Sequence, residues 1–232
     1  MRILGISSAT KVTSIGLVED GRVLVETTVA DIQSEKVMFY VNEAGIKPEQ
    51  IEGVAVASGP GSYSGLRGGV AAAKSLAQTL NIPLVGVSTL EAIAYNLVDI
   101  EGTMAVVLDA KADDFNFALF GAAGGKLKRL TNDLVLNLDK IVEKLSKVSG
   151  ELYLVGNLND LRGKLTAQNF HFTQDIHSHP YGINVARLGA LKIESGEKDD
   201  PLALTPSYSH KPNIREFSRE GAKSAKKTGS TA

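Results

Sequence analysis

One order of patterns, strand then hairpin then helix then strand, occurs twice along this chain. In the first half, residues 2–6 are strand-like, and residues 14–19 and 22–28 flank Asp20-Gly21. That dipeptide predicts a two-residue hairpin turn, because glycine adopts positive φ without steric cost. Residues 34–44 carry Val37, Tyr40, Val41 and Ala44 at helical spacing and end at Gly45, and 54–57 is a short apolar strand. The second half repeats the order: a strand over 103–108, a hairpin of 114–120 and 126–130 around Gly124-Gly125, a helix over 138–148 and a strand over 152–155. Between the halves come a helix after the glycine-rich run at 59–69, a strand over 84–87 and a helix over 89–98. Ser88 and Glu91 open that last helix as a capping box. The halves share little residue identity, so the repeat is architectural. Alternating strands and helices predict an α/β chain with one mixed sheet in each of two lobes. The expected division is an N-terminal lobe over 1–101, a C-terminal lobe over 102–210 and a basic tail over 211–232.

The run GPGSYSGLRGG, residues 59–69, places five glycines and a proline between a strand and a helix. It is not a phosphate-binding P-loop, which needs a lysine directly after its last glycine; the next lysine here is Lys74. It also misses the dinucleotide fingerprint, since Gly59, Gly61 and Gly65 are spaced two and four apart. A strand-to-helix turn with helix N-terminal amides can still take an anion. The composition favours packing instead. Gly68, Gly69, Ala71, Ala72, Ala73 and Ala77 strip the helix of large side chains, which lets a neighbouring helix approach closely. Gly59, Pro60, Gly61, Ser62 and Gly65 are therefore expected to form a structural loop. Leu66, Arg67 and Val70, with Met38 on the preceding helix, are expected to form a protein–protein face.

Composition closes off other chemistries. The chain has 232 residues, 43% hydrophobic and 22% charged, enough for a normal core without staples. It has no cysteine, so thiol chemistry, disulfides and zinc-finger sites are excluded, as suits a reducing cytoplasm. MRILGISS reads as a first strand rather than a signal peptide, and no apolar run approaches a membrane span. These features predict a cytoplasmic protein with no membrane contact. Net charge is −1, which does not suit a general polyanion binder. The tail differs: Lys211, Arg215, Arg219, Lys223, Lys226 and Lys227 face only Glu216 and Glu220. It reads as a disordered, solvated segment, with a weak RNA-phosphate contact as the alternative. No metal site is expected. His177-Ser178-His179 sits beside Pro180 in polar surroundings and reads as a surface loop. Asp109, Asp113 and Asp114 read as a strand end and a turn, with a magnesium cluster as the alternative.

The glycine run also closely resembles the G-P-G-S-F-T-G-[LV]-R-[IV]-G signature of the TsaB (YeaZ) family. Other segments match in order: MRILGISSAT the family's opening strand and turn, SEKVM the start of its first helix, PLVGVSTLEAIA a strand-to-helix segment, LDAKADDFNFALF a hairpin, and PSYSHKP a terminal motif. The resemblance implies a duplicated two-lobed fold of the actin/Hsp70/sugar-kinase (ASKHA) type. It implies a non-catalytic subunit, a pseudo-enzyme, which supports the metal-bearing TsaD-type subunit in making N6-threonylcarbamoyladenosine at position 37 of tRNAs that read codons beginning with A. A TsaE-type ATPase completes the assembly, tRNA is met through the complex, and the chain alone can pair as a homodimer.

The two N-lobe helices are the implied contact, with Glu35, Met38, Val41, Leu66, Arg67, Val70 and Lys74 as interface candidates. A degenerate nucleotide cleft would involve Ser7, Ser8, Thr10 and Asp109, with no catalytic residue, no tightly held cofactor and at most weak ATP or ADP binding, directly or at an interface with partners. Ser7 stands where the family usually has Asp, Gln33 where it often has His, Gly68 where it has a β-branched residue and His210 where it has Arg. The predicted helix over 34–44 has no histidine, whereas the catalytic relatives need two, four residues apart, to bind metal. The competing reading is an ATP-binding small-molecule kinase or ATPase of the same fold.

Overall fold

A computed structural model describes residues 1–30, 36–110, 113–163, 165 and 169–209. Five strands form the first sheet: β1 (Arg2–Ser7), β2 (Thr13–Glu19), β3 (Arg22–Val29), β4 (Gly53–Gly59) and β5 (Leu84–Ser88). Their order is β3-β2-β1-β4-β5, antiparallel across the hairpin and parallel from β1 to β5. The second sheet contains β6 (Gly102–Asp109), β7 (Asp114–Ala123), β8 (Lys126–Arg129), β9 (Leu134–Asn137), β10 (Leu152–Gly156) and β11 (Phe170–Phe172). Its order β11-β10-β6-β7-β8, read from the other end, repeats that of the first, with β9 added alongside β7. The hairpins turn where expected: Asp20 and Gly21 have φ of 48° and 81°, Gly124 and Gly125 of 57° and 70°. Positive φ at both central residues matches the right-handed twist of the flanking strands.

Helices α1 (Val37–Glu43) and α2 (Tyr63–Leu80) cover one face of the first sheet. Val37, Tyr40, Val41, Val70, Ala73 and Ala77 pack there against Leu4, Ile6, Val54 and Val56. Helix α3 (Thr89–Ala94), followed by a 3-10 turn over Tyr95–Leu97, is capped by Ser88, whose hydroxyl accepts from the Glu91 amide at 3.4 Å. Leu90, Ile93 and Ala94 join Met104, Val106, Ala118 and Phe120 of the second sheet, so α3 lies between the lobes. On the opposite face of that sheet sit α4 (Leu138–Leu145) and the short α5 (Asn159–Arg162).

The lobe expected over 102–210 does not keep to its own sheet. Helix α6 (Gly182–Glu194) crosses back to lie on β1, β2 and β4. Glycines make that approach possible at backbone range: a Cβ at Gly5 would stand 2.0 Å from the Gly182 carbonyl oxygen, and one at Gly16 would stand 2.3 Å from the Ile183 nitrogen. Side chains of the hairpin cap the incoming helix. The Gly182 amide donates to Ser14 Oγ at 2.8 Å and the Ile183 amide to Glu26 Oε2 at 2.9 Å, while Ser14 and Thr28 hydroxyls donate to Glu26 Oε1.

Burial raises the Glu26 carboxyl above its ordinary value of 4.5, and the hydrogen bonds it accepts offset this only in part. The folded chain therefore holds this proton to higher pH than the unfolded one. The corresponding stability is fully present below the ordinary value and is lost as pH rises through the folded value. Urea midpoints measured from acidic to neutral pH should show this decline in the wild type and not in Glu26→Gln. Parallel curves would remove Glu26 as the titrating group.

Candidate functional site

The glycine loop joins β4 to α2, and its glycines are occupied by other backbone. A Cβ at Gly59 would lie 2.2 Å from the Ser207 carbonyl oxygen, at Gly61 2.2 Å from that of Ala9, and at Gly65 1.9 Å from that of Ser8. The Ser62 amide donates to the Ala9 carbonyl at 2.7 Å, and the Gly65 amide donates to Ser62 Oγ at 3.4 Å. Ser8 Oγ donates in turn to the Gly65 carbonyl at 2.7 Å. The loop is a place where the turn after β1 and the segment near Ser207 come within backbone contact of the start of α2. Its glycines serve packing.

A cleft of about 390 Å³ opens beside this loop between the lobes. Thr10, Lys11 and Ser62 line it from the first lobe, and Asp109, Asn157 and His179 from the second. Asn157 Oδ1 accepts from the Asp109 amide at 3.0 Å, and Thr10 Oγ1 accepts from the Val12 amide at 3.3 Å. Ser7 and Ser8, expected at this cleft, are instead buried beneath it at 0% and 3% exposure. Ser8 is spent on the Gly65 carbonyl, and the Ser7 hydroxyl is a buried group without a hydrogen-bond partner among the described residues. The reason is that β1 is covered on both faces, buried from Ile3 to Ser7, and the chain reaches the cleft only in the turn that follows. Among the described residues, no three His, Asp or Glu side chains are grouped to hold a metal. Asn96 Nδ2 donates to the carbonyls of His177 and His179, at 2.7 and 2.9 Å. No described helix is long and apolar enough to cross a membrane.

The helical face needs correction residue by residue. Leu66 is 0% exposed and packs with Ala9, Ala57 and Val87, while Val70 and Val41 belong to the core beneath α1 and α2. None of these three is available to a partner. A helix that covers a sheet spends its apolar side on that sheet, so Gly69, Ala73 and Ala77 face in together with Leu66 and Val70, and of the glycines and alanines only Gly68, Ala71 and Ala72 reach the outer side. Lys74 is also engaged, donating to the carbonyls of Leu202 and Leu204 at 3.4 and 3.1 Å. Met38 and Arg67 are exposed as expected, and Glu35 lies outside the described residues. Gln33, the basic tail over 211–232 and His210 lie outside them too. Two exposed apolar residues were missed: Phe39, 55% exposed beside Met38 on α1, and Tyr63 at the start of α2. The adjacent pair Met38-Phe39, off the apolar spacing of Val37, Tyr40 and Val41, was the available signal.

A family model described as TsaD, tRNA N6-adenosine threonylcarbamoyltransferase, matches residues 34–228. The tRNA threonylcarbamoyladenosine biosynthesis protein TsaB of Bacillus subtilis is 29% identical over 219 residues, covering 90% of this chain and 93% of that one. A tRNA N6-adenosine threonylcarbamoyltransferase of Syntrophus aciditrophicus is 31% identical over 147 residues, which cover 54% of this chain and 41% of the enzyme. In structure, YeaZ from Pseudomonas aeruginosa is similar with a TM-score of 0.74 at 17% identity, covering 89% of this chain and 99% of that one. The duplicated two-lobed α/β fold expected from the repeated pattern is thus the one present, and it is shared with YeaZ. With the family model spanning most of its length and the TsaB likeness running nearly end to end, the chain belongs to the TsaD family and, within it, to the TsaB (YeaZ) group.

Proposed function

We propose that this chain is a non-catalytic subunit that binds and supports a TsaD-type catalytic subunit in forming N6-threonylcarbamoyladenosine in tRNA. The observation that carries the reading is the extent of the likeness: it runs through 93% of a TsaB and only 41% of a transferase. The helices are consistent with this. The sequence of α1, VMFYVNE, holds no histidine, so it lacks the metal-binding pair that the resemblance assigns to the catalytic subunit. Its outer side instead presents Met38 and Phe39, 42% and 55% exposed, on a helix that packs beside α2. Covering these two side chains would contribute about 2 kcal/mol each to association. The cleft offers one lysine on a flexible stem, the Asp109 carboxylate and otherwise small or amide groups, which supports no more than weak nucleotide binding by the chain alone. A TsaE-type ATPase and tRNA join through the assembly, and two copies pair when the catalytic subunit is absent.

Reconstitution of the modification with the catalytic subunit and the ATPase, with and without this chain, tests the reading. Modified nucleoside measured by mass spectrometry should form only when the chain is present. Equal yield without it would overturn the supporting role, and turnover by the chain alone would overturn the non-catalytic one.

A further inference from the structure

The segment after α6 returns along the first lobe as a strap. Asp199 starts it on β5, its amide donating to the Leu84 carbonyl at 2.8 Å and its Oδ2 accepting from the Gly86 amide at 2.7 Å. Lys74 holds it at Leu202 and Leu204, and the Ser207 amide donates to the Ser58 carbonyl at 2.7 Å. The carbonyl of Ser207 fills the space that a side chain at Gly59 would need. This fixes the next residue, Tyr208, against the first turn of α2, with its ring 4.8 Å from that of Tyr63. Arg67 completes the group. Its Nη1 donates to the Tyr63 hydroxyl at 3.1 Å, and its guanidinium carbon lies 5.3 Å from the Tyr63 ring centre.

This group has the composition of a docking anchor. Arginine and tyrosine are enriched where a few residues carry most of an interface's energy, and an aromatic shelf holds a guanidinium in place before the partner arrives. Arg129, by contrast, is committed to Glu91 and Asp133. Among the described residues no carboxylate lies within ion-pair distance of Arg67. The anchor is continuous with the outward face of α2, where Ser64, Arg67, Ala71, Ser75 and Gln78 are exposed at helical spacing.

We propose that Tyr63, Arg67 and the strap residue Tyr208 form one docking anchor, which receives a carboxylate side chain of the catalytic partner subunit over a two-tyrosine shelf. This rests on the reading of α2 as a partner-binding helix and adds to it the chemistry of the contact and the contribution of the C-terminal strap. Arg67 supplies a bidentate donor matched to a carboxylate, and the rings exclude water from that pair.

The test measures affinity of the full-length chain for the TsaD-type subunit by calorimetry at several salt concentrations. Arg67→Gln and Tyr208→Ala should each weaken binding about tenfold, and Tyr208→Phe should not. Arg67→Gln should also flatten the salt dependence, because the removed contact is ionic. Tyr208→Ala within about twofold of wild type, together with an unchanged salt slope in Arg67→Gln, would overturn the anchor. Ala71→Glu and Ser75→Glu separate the two levels. If they abolish binding while the anchor variants do not, the helix face stands and the anchor falls; if none of the four weakens binding, both fall. A loss of tRNA binding in Arg67→Gln with partner affinity intact would reassign the shelf to a nucleobase and overturn the carboxylate.

Discussion

Gly65→Ala is expected to destabilise the folded chain by about 3 kcal/mol, the upper end of the cost of overpacking. The sign makes this informative. Gly65 lies in the first turn of α2, at a helical position where helix propensity alone predicts that alanine stabilises by about 1 kcal/mol. The added methyl, however, would sit 1.9 Å from the Ser8 carbonyl oxygen. Ser8 cannot withdraw cheaply, because its hydroxyl is bonded to Gly65 itself and the neighbouring Ala9 carbonyl holds the Ser62 amide. Relieving the clash means pulling the turn after β1 away from α2, which opens the side of the cleft that carries Thr10 and Lys11. Urea denaturation gives the stability difference directly. An alanine variant as stable as wild type would show that the loop does not need close backbone approach.

Leu66→Glu should abolish folding, whereas Phe39→Glu should leave the melting temperature within a few degrees and abolish binding to the catalytic subunit. Leu66 is fully buried among Ala9, Ala57 and Val87. Truncating such a residue to alanine costs about 2–5 kcal/mol, and a buried unpaired carboxylate costs more, which is comparable to the whole stability of a domain. Phe39 projects from the outer side of α1 at 55% exposure, where a carboxylate meets water in the free chain and an apolar surface only in a complex. Circular dichroism melts combined with co-purification separate the outcomes. A folded Leu66→Glu that fails only in partner binding would reverse the assignment of the two faces of α2.

Much of the framework was legible because it is written in short stretches. The Asp20-Gly21 and Gly124-Gly125 turns, the Ser88 cap and the strand over 152–156 need only neighbours within a few positions. Helix α6 was not legible on the same terms. Glycines at 182 and 189 lower its intrinsic helix tendency, and Tyr181 at its start provides no side-chain cap. Its cap comes from Ser14 and Glu26, which stand 168 and 157 positions away. β9 and β11 escaped notice for a similar reason: at four and three residues each, they hold only as additions to β7 and β10.

The candidate face divides along the same line. Small residues on α2 identified a helix built for close approach, and that property belongs to the sequence. Which side the approach comes from was decided by the sheet beneath, which claimed Leu66 and Val70 and left Arg67 outside. Lys74, equally plausible in sequence, was taken by carbonyls 128 and 130 positions further along. Residue pattern determined two sheets, their hairpins and a loop without room for side chains, because φ preference and apolar periodicity act over a few residues. Tertiary structure alone decided which side chains remain for a partner, since exposure depends on what distant parts of the chain cover.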